Sequence, residues 1–553
     1  MYFGALNTLY TVANTFYSVR LYKKGENYMY KRLTILSIIF LALFSTLYMR
    51  TYVIMNTEEY KQAVRNQGKY TLNVGGVNGN IYDCNFKLLN NNTYEYLAAI
   101  NPTSDAIKEV LPYVKDRNDF YNKLKYEAPF VCAVDKDSFE CEDITVFKVP
   151  VRTAENQLAQ HIIGYTQNGV GVTGIELSFD KFLRSIESKN KVIYNIDGTG
   201  SVLNGKEKMV EYAKEIRAGI VTTIDADIQE ICENAAKDMA KGSVVVMDVK
   251  TGEIRAMLSK PDYSVNHLEK ALASEDSPLI NRPLYAYNVG SIFKLVIAAE
   301  ALNGGLSKNF MYECTGSIDV NGQIFNCHKR NGHGHQDMEN AIINSCNTYF
   351  INLVQYIDTE RLWNMSNILG FGRETVLANN IVASSGNLPS VSDLSIPAEK
   401  SNFSFGQGKL LSTPVQITTL TCAIANGGDL PKAKLIRGTT MDGKTVDNEA
   451  EIVYTKAFST EVAIAIQDYM IAAINENEDS NAKPDNIFAA GKTSTAQTGR
   501  YDENGKDICH AWITGFFPVA NPEYAVTVLV EDGGFGNDEA APIFKKIADG
   551  IYK

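Results

Sequence analysis

One uncharged apolar run, Leu33 to Met49 (LTILSIIFLALFSTLYM), splits this chain into two very unequal parts. Its seventeen residues reach the short end of what a helix needs to cross a hydrocarbon layer of ~30 Å, and TYVIM extends the apolar character past Arg50. Arg20, Lys23, Lys24, Lys31 and Arg32 precede it against Glu26 alone, so the positive-inside bias predicts residues 1–32 as a cytoplasmic tail. Residues 33–55 are then an uncleaved anchor in the cell membrane, with the rest of the chain outside. Met49-Arg50-Thr51-Tyr52 is too bulky for a signal-peptide cleavage site. The asymmetric flanking charge and terminal position argue against a buried core helix.

The chain beyond the anchor is globular. Hydrophobic residues at 45% and charged residues at 21% exclude disorder, and 553 residues are enough for two to four domains. The net charge of −11 argues against a nucleic-acid partner. Between residues 56 and 218 short apolar runs alternate with turn-like clusters such as NVGGVNGN (73–80) and NNNT (90–93), which predicts an α+β domain without a catalytic cluster. Cys132 and Cys141 flank AVDKDSFE there, a hairpin-like stretch that leaves a disulfide open. From 219 the texture changes: TTIDADIQEICENAAKDMA reads as a helix, and GSVVVMDVKTGEIRAMLS as two strands about a turn at Lys250-Thr251-Gly252. Long helical stretches then lead to strands at 510–518 and 524–532 and a closing helical APIFKKIADGIYK.

The chemistry lies in that second part. Gly290 marks a helix start, so Ser291 falls in the first turn and Lys294, three residues on, lies on the same face. A serine becomes nucleophilic when a base takes its proton, and a lysine of lowered pKa can be that base. Alone, Ser-x-x-Lys is a weak signal. Here Ser345-Cys346-Asn347 and Lys492-Thr493-Ser494-Thr495 come after it in order.

The ordered set resembles the penicilloyl-serine family, whose motifs are Ser-x-x-Lys, Ser-x-Asn and Lys-Thr-Gly. GSVVVMDVKTGEIRAMLSKPDY, FGQG (405–408), HAWITGFFP and EDGGFGNDEAAPIFKKIA extend the likeness to class B penicillin-binding proteins over about 220–553. The resemblance implies an α/β transpeptidase fold, an antiparallel sheet flanked by helices with an all-helical subdomain, over 219–553. It also implies an N-terminal α+β pedestal over 56–218 carrying NGNIYDCN, HIIGY and GVTGIELSFDKFL, in which Asn78, Cys84 and Phe86 replace the family's arginines and glycine.

The resemblance further implies acyl transfer without a cofactor. Ser291, deprotonated by Lys294, attacks the D-Ala-D-Ala carbonyl of a peptidoglycan stem peptide. Ser345, with Lys492 as second candidate, relays the proton to the departing D-Ala, and an amine of another stem resolves the acyl-enzyme. Backbone N–H groups of Ser291 and Thr495 would hold the oxyanion, Asn347 the acyl side-chain amide, and Thr493 with Ser494 the terminal carboxylate. Beta-lactams would acylate Ser291, and a membrane glycosyltransferase would polymerise the glycan. The rivals are a non-catalytic scaffold and a beta-lactam receptor or serine beta-lactamase.

Two departures stand out. Ser494 replaces the family's glycine and is expected to put a side chain at a strand edge that substrate must approach. Cys314, Cys327, His328, His333, His335 and Asp337 also cluster within twenty-four residues, a donor set suited to a structural zinc. The expected ligands are Cys314, Cys327, His335 and Asp337, with His333 the first substitute and His328 or Cys346 next. The competing reading makes Asp337 the cap of the helix DMENAIIN.

Overall fold

The computed structural model describes residues 27–57, 68–155, 157–203 and 206–553, so most of the expected tail lies outside the described residues. Helix α1 (Asn27–Asn56) carries the apolar run. Its segment Lys31–Asn56 is the one helix among the described residues long and apolar enough to span a bilayer, and none of it is buried against the rest of the chain.

The region after α1 is built on small sheets. Strand β1 (Lys69–Asn78) comes first, followed by β2 (Asn80–Tyr82), β3 (Thr93–Ile100), β4 (Phe130–Val134), β5 (Ile144–Val151), β6 (Glu187–Asn195) and β7 (Met209–Glu211). All but β2 form two sheets, in the orders β1-β6-β7 and β4-β3-β5. Two expectations change here. NVGGVNGN is not a turn: most of it lies in β1, whose register shifts between Asn73 and Gly76, with Gly75 at φ +88°, so the paired glycines mark a bulge. Cys132 and Cys141 do not flank a hairpin, because β4 and β5 each pair with β3, which lies between them in the sheet, and both thiols are free. Phe86, where the resemblance expects glycine, keeps a glycine-like φ of +63°.

Strand β8 (Gly219–Thr222) pairs in parallel with β2 and antiparallel with a strand far along the chain, Ile436–Thr440. The expected division at 218/219 thus falls at a strand hydrogen-bonded to both halves. Helix α2 (Ala226–Ala235) comes next, capped by the Asp225 carboxylate. Strands β9 (Gly242–Asp248) and β10 (Ile254–Lys260) then turn through Gly252 at φ +71°, as the sequence predicts.

The short strands β11 (Tyr312–Cys314), β12 (Gly334–Gln336) and β13 (Ile436–Thr440) follow along the chain, and its end supplies β14 (Ala490–Tyr501), β15 (Asp507–Phe517) and β16 (Tyr524–Val530), which complete an antiparallel central sheet in the order β10-β9-β16-β15-β14. Successive strand residues face opposite sides. Val245 and Met247 of β9 enter the larger core, Val244 and Val246 the smaller one, so both faces are covered and the strand reads as an unbroken apolar run. On one side lies the buried helix Pro414–Ala425, started by a Thr413–Gln416 capping box. On the other lies Gly536–Ile551, which begins five residues ahead of the expected APIFKKIADGIYK and carries Pro542 inside it. The helices Lys294–Asn303, Asn347–Val354, Thr359–Ile368 and Pro397–Phe403 form the helical part, with Phe293 packed edge-on against Phe371 and Phe403.

Candidate active site

Three chain segments meet at one amine. Gly290–Phe293 is a single 3-10 turn that runs straight into helix α3 (Lys294–Asn303), placing Ser291 and Lys294 together as their spacing predicts. Lys294 is fully buried, and its Nζ lies 3.0 Å from Ser291 Oγ. The same nitrogen lies within hydrogen-bond distance of the Ser345 carbonyl oxygen at 2.7 Å, Ser345 Oγ at 3.2 Å and Asn347 Oδ1 at 2.6 Å.

The second motif owes its shape to a helix end. Helix α4 (Met338–Ile343) closes with Ser345 at φ +51°, Ser345 N–H donating to Ile342 O and Cys346 N–H to Ala341 O. Those two bonds make a Schellman stop with serine in the left-handed position usually held by glycine. The reversal points Ser345 and Asn347 at Lys294, with Asn347 opening helix α5 (Asn347–Val354). Cys346 between them turns the other way, into the cysteine cluster.

The third motif lies on β14. Lys492 is 4% exposed, and its Nζ donates to Thr493 O at 3.0 Å. Burial, and then the charge of Lys492, push the Lys294 ammonium well below the ordinary lysine range, while burial lowers Lys492 to about 8. The buried pair therefore favours a neutral Lys294, able to accept the Ser291 proton, beside a Lys492 still cationic near neutrality. Thr495 is fixed by Gly536 N–H donating to its Oγ1 at 3.2 Å.

The FGQG segment buttresses this arrangement. Gly290 N–H donates to Gly406 O at 2.9 Å, and a Cβ on Gly406, whose φ is +74°, would sit 2.0 Å from Gly290 O. Gly406→Ala is expected to destabilise the fold by roughly 2 kcal/mol or more, from backbone strain plus overlap, read as a lowered melting temperature. An unchanged melting temperature would show that the loop can move away.

The metal expectation needs correction in two of its four residues. Donor atoms of Cys314, Cys327, His333 and Cys346 all lie within 4.8 Å of one another. His335 is exposed on the short strand Gly334–Gln336: it pairs with exposed Glu313, whereas Cys314 opposite Gly334 faces inward. Asp337 is the helix cap, accepting from Asn340 N–H at 2.8 Å. His333, ranked first among the substitutes, and Cys346, ranked among the next, complete the group. His328 Nδ1 is 3.9 Å from Cys327 Sγ, outside the four. Cys346, inside the second motif and beyond the twenty-four-residue cluster, stands among the last substitutes in the sequence reading.

Ser494 also departs from expectation. It is 3% exposed, with its hydroxyl donating to Val289 O at 2.8 Å, so it faces the turn ahead of Ser291: it does not crowd the strand edge, and its hydroxyl is not turned out to hold a terminal carboxylate with Thr493 as the resemblance implies.

A serine beside a buried amine, backed by a second hydroxyl and a second lysine, is a site equipped for acyl transfer. Residues 242–549 match the family model for the penicillin binding protein transpeptidase domain, and the chain belongs to that family. It is 28% identical over 416 residues, 69% of this chain and 63% of the relative, to the peptidoglycan D,D-transpeptidase MrdA of Haemophilus influenzae. It spans 61–63% of the length of such curated relatives. Among solved structures, a peptidoglycan synthase complex of coordinated polymerization and crosslinking superposes with TM-score 0.69 at 22% identity, covering 94% of this chain and 98% of that one. A ceftriaxone acyl-enzyme of penicillin-binding protein A from M. tuberculosis does so with TM-score 0.62 at 22% identity, covering 73% and 94%.

Proposed function

We propose that this protein is a peptidoglycan D,D-transpeptidase of the class B type, anchored by α1 with residues 1–32 cytoplasmic and the catalytic domain outside, and divided into a pedestal over 56–218 and a transpeptidase domain over 219–553. The observation that carries the reading is the placement of Lys294 Nζ among Ser291 Oγ, Ser345 Oγ and Asn347 Oδ1. Neutral Lys294 takes the Oγ proton as Ser291 attacks the penultimate D-Ala carbonyl, and N–H groups of Ser291 and Thr495 receive the oxyanion. Ser345, with Lys492 behind it, returns a proton to the leaving D-Ala. An amine of a second stem peptide then displaces Ser291. Thr493 and Lys492 hold the substrate carboxylate, Asn347 orients the acyl amide, and beta-lactams acylate Ser291 as substrate mimics. The MrdA relative supports the substrate class, and the synthase complex supports a membrane glycosyltransferase partner. A cross-linking assay on uncross-linked lipid-linked glycan tests the reading: dimeric stem peptides should appear with the wild-type protein and vanish with penicillin.

The acylation rate should trace a bell in pH. It rises as Lys294 loses its proton, and falls through about pH 8 as Lys492 loses the charge that holds the carboxylate. Benzylpenicillin acylation measured from pH 5 to 10 checks this, and an alkaline limb that never falls would remove Lys492 from carboxylate binding.

Catalysis needs no metal, yet the sulfur cluster supports a structural zinc. His333 Nδ1 lies 3.6 Å from Cys314 Sγ and 3.5 Å from Cys327 Sγ, and Cys327 Sγ lies 4.0 Å from Cys346 Sγ. A tetrahedron with Zn–S near 2.3 Å and Zn–N near 2.0 Å has edges of about 3.5 Å for S–N and about 3.8 Å for S–S. Cys314, Cys327, His333 and Cys346 would hold the ion and brace the turn that presents Ser345 and Asn347.

A further inference from the structure

Ser494 is not a neutral replacement of glycine. We propose that its hydroxyl is a positioning group for the nucleophile, holding the Val289–Gly290 peptide so that Ser291 and its N–H meet the acyl carbonyl correctly. This rests on the reading of Ser291 as the acylated residue.

The segment before Ser291 is held at every step. Tyr287 exchanges two backbone bonds with Ser412, at 2.9 and 3.0 Å, and Gly290 N–H is taken by Gly406 O. Two consecutive carbonyls are held by side chains from β14 and β15: Trp512 Nε1 donates to Asn288 O at 3.0 Å, and Ser494 Oγ to Val289 O at 2.8 Å. Ser494 and Trp512 are themselves cross-strand partners, so one rung of the sheet grips two successive peptide units. Val289 is fully buried, and the bond orients its peptide with Gly290 at φ +64°. The contact is close enough that a Cβ on Gly290 would meet Ser494 Oγ at 2.5 Å. The next residue on β14 is Thr495, whose N–H shares the oxyanion with that of Ser291. A single hydroxyl thus ties the two backbone stretches that supply both N–H groups.

The consequence separates three side chains. Alanine removes the hydroxyl and keeps a methyl that shields Val289 O from water, leaving a buried carbonyl unpaired. Glycine removes both, and a water can enter and bond the carbonyl in part. If Ser494 obstructed the groove, both variants would react faster. If it bound substrate, both would lose affinity.

The test is stopped-flow acylation of the full-length protein by benzylpenicillin, separating the dissociation constant of the encounter complex from the acylation rate constant. For Ser494→Ala the rate constant should fall about tenfold, short of the loss on deleting an oxyanion donor, with the dissociation constant unchanged. Ser494→Gly should fall between alanine and wild type. An alanine variant that acylates at the wild-type rate, one that gains speed, or one whose whole loss lies in affinity overturns the proposal. Should Ser494→Ala not fold, Ser494→Gly is judged by the same split. A wild-type protein that forms no adduct on Ser291 strikes the underlying reading instead, which peptide mapping of the same sample reveals.

Discussion

Ser291→Ala is expected to abolish covalent labelling by penicillin and to lower cross-linking by about six orders of magnitude, the scale on which serine hydrolases lose activity with their nucleophile. The size of the effect comes from the site: Ser291 Oγ lies 3.0 Å from the Nζ of the buried Lys294, which Ser345 and Asn347 hold in place, so the substitution removes the group on which the base acts. The substitution removes one hydroxyl and no core packing, so the melting temperature should stay near that of the wild type. The same variant decides between enzyme and scaffold: a scaffold with Ser291→Ala would still complement a deletion, and an enzyme would not. The acyl-enzyme's lifetime separates the third reading, because a beta-lactamase releases its adduct and a transpeptidase or receptor keeps it.

The second large effect concerns the sulfur cluster. Protein purified without chelator is expected to carry one zinc per chain by native mass spectrometry, and stripping it should lower the melting temperature on the order of 10 °C, since ligation in such sites supplies folding free energy directly. Cys346→Ser should lose the ion and also slow acylation, because Cys346 sits between Ser345 and Asn347 and its sulfur lies 4.0 Å from Cys327. His335→Ala, on the exposed face of its strand, should retain it. Metal-free protein with the same melting temperature in chelator would end the zinc proposal.

Where an interaction is local in sequence, the chain announces it. Ser291 and Lys294 are three residues apart on one turn, the turn at Gly252 lies between two apolar strands, and Leu33 to Met49 reads as a helix by length alone. The features that sequence reasoning misses depend on side-chain direction or on pairing between distant strands. His335 looks like a ligand by spacing, but its strand register turns it to solvent, while His333, ahead of the strand and of Gly334 at φ +71°, faces the sulfurs. Cys346 ranks among the last substitute ligands by its place in the sequence, and the Schellman turn at Ser345 sends it toward the other sulfurs. Gly75-Gly76 reads as a turn because a bulge and a turn use the same residues. Ser494 reads as an obstruction in one dimension, and only the pairing of β14 with β15 puts its hydroxyl under Val289, 205 positions away.

The most direct test of the central claim is a peptide map after acylation. Folded full-length protein is incubated with benzylpenicillin, digested, and the modified peptide sequenced by mass spectrometry. The account predicts one stable penicilloyl group per chain, on Ser291 within NVGSIFK. An adduct on any other residue, or none on protein that retains its wild-type melting transition, would contradict it.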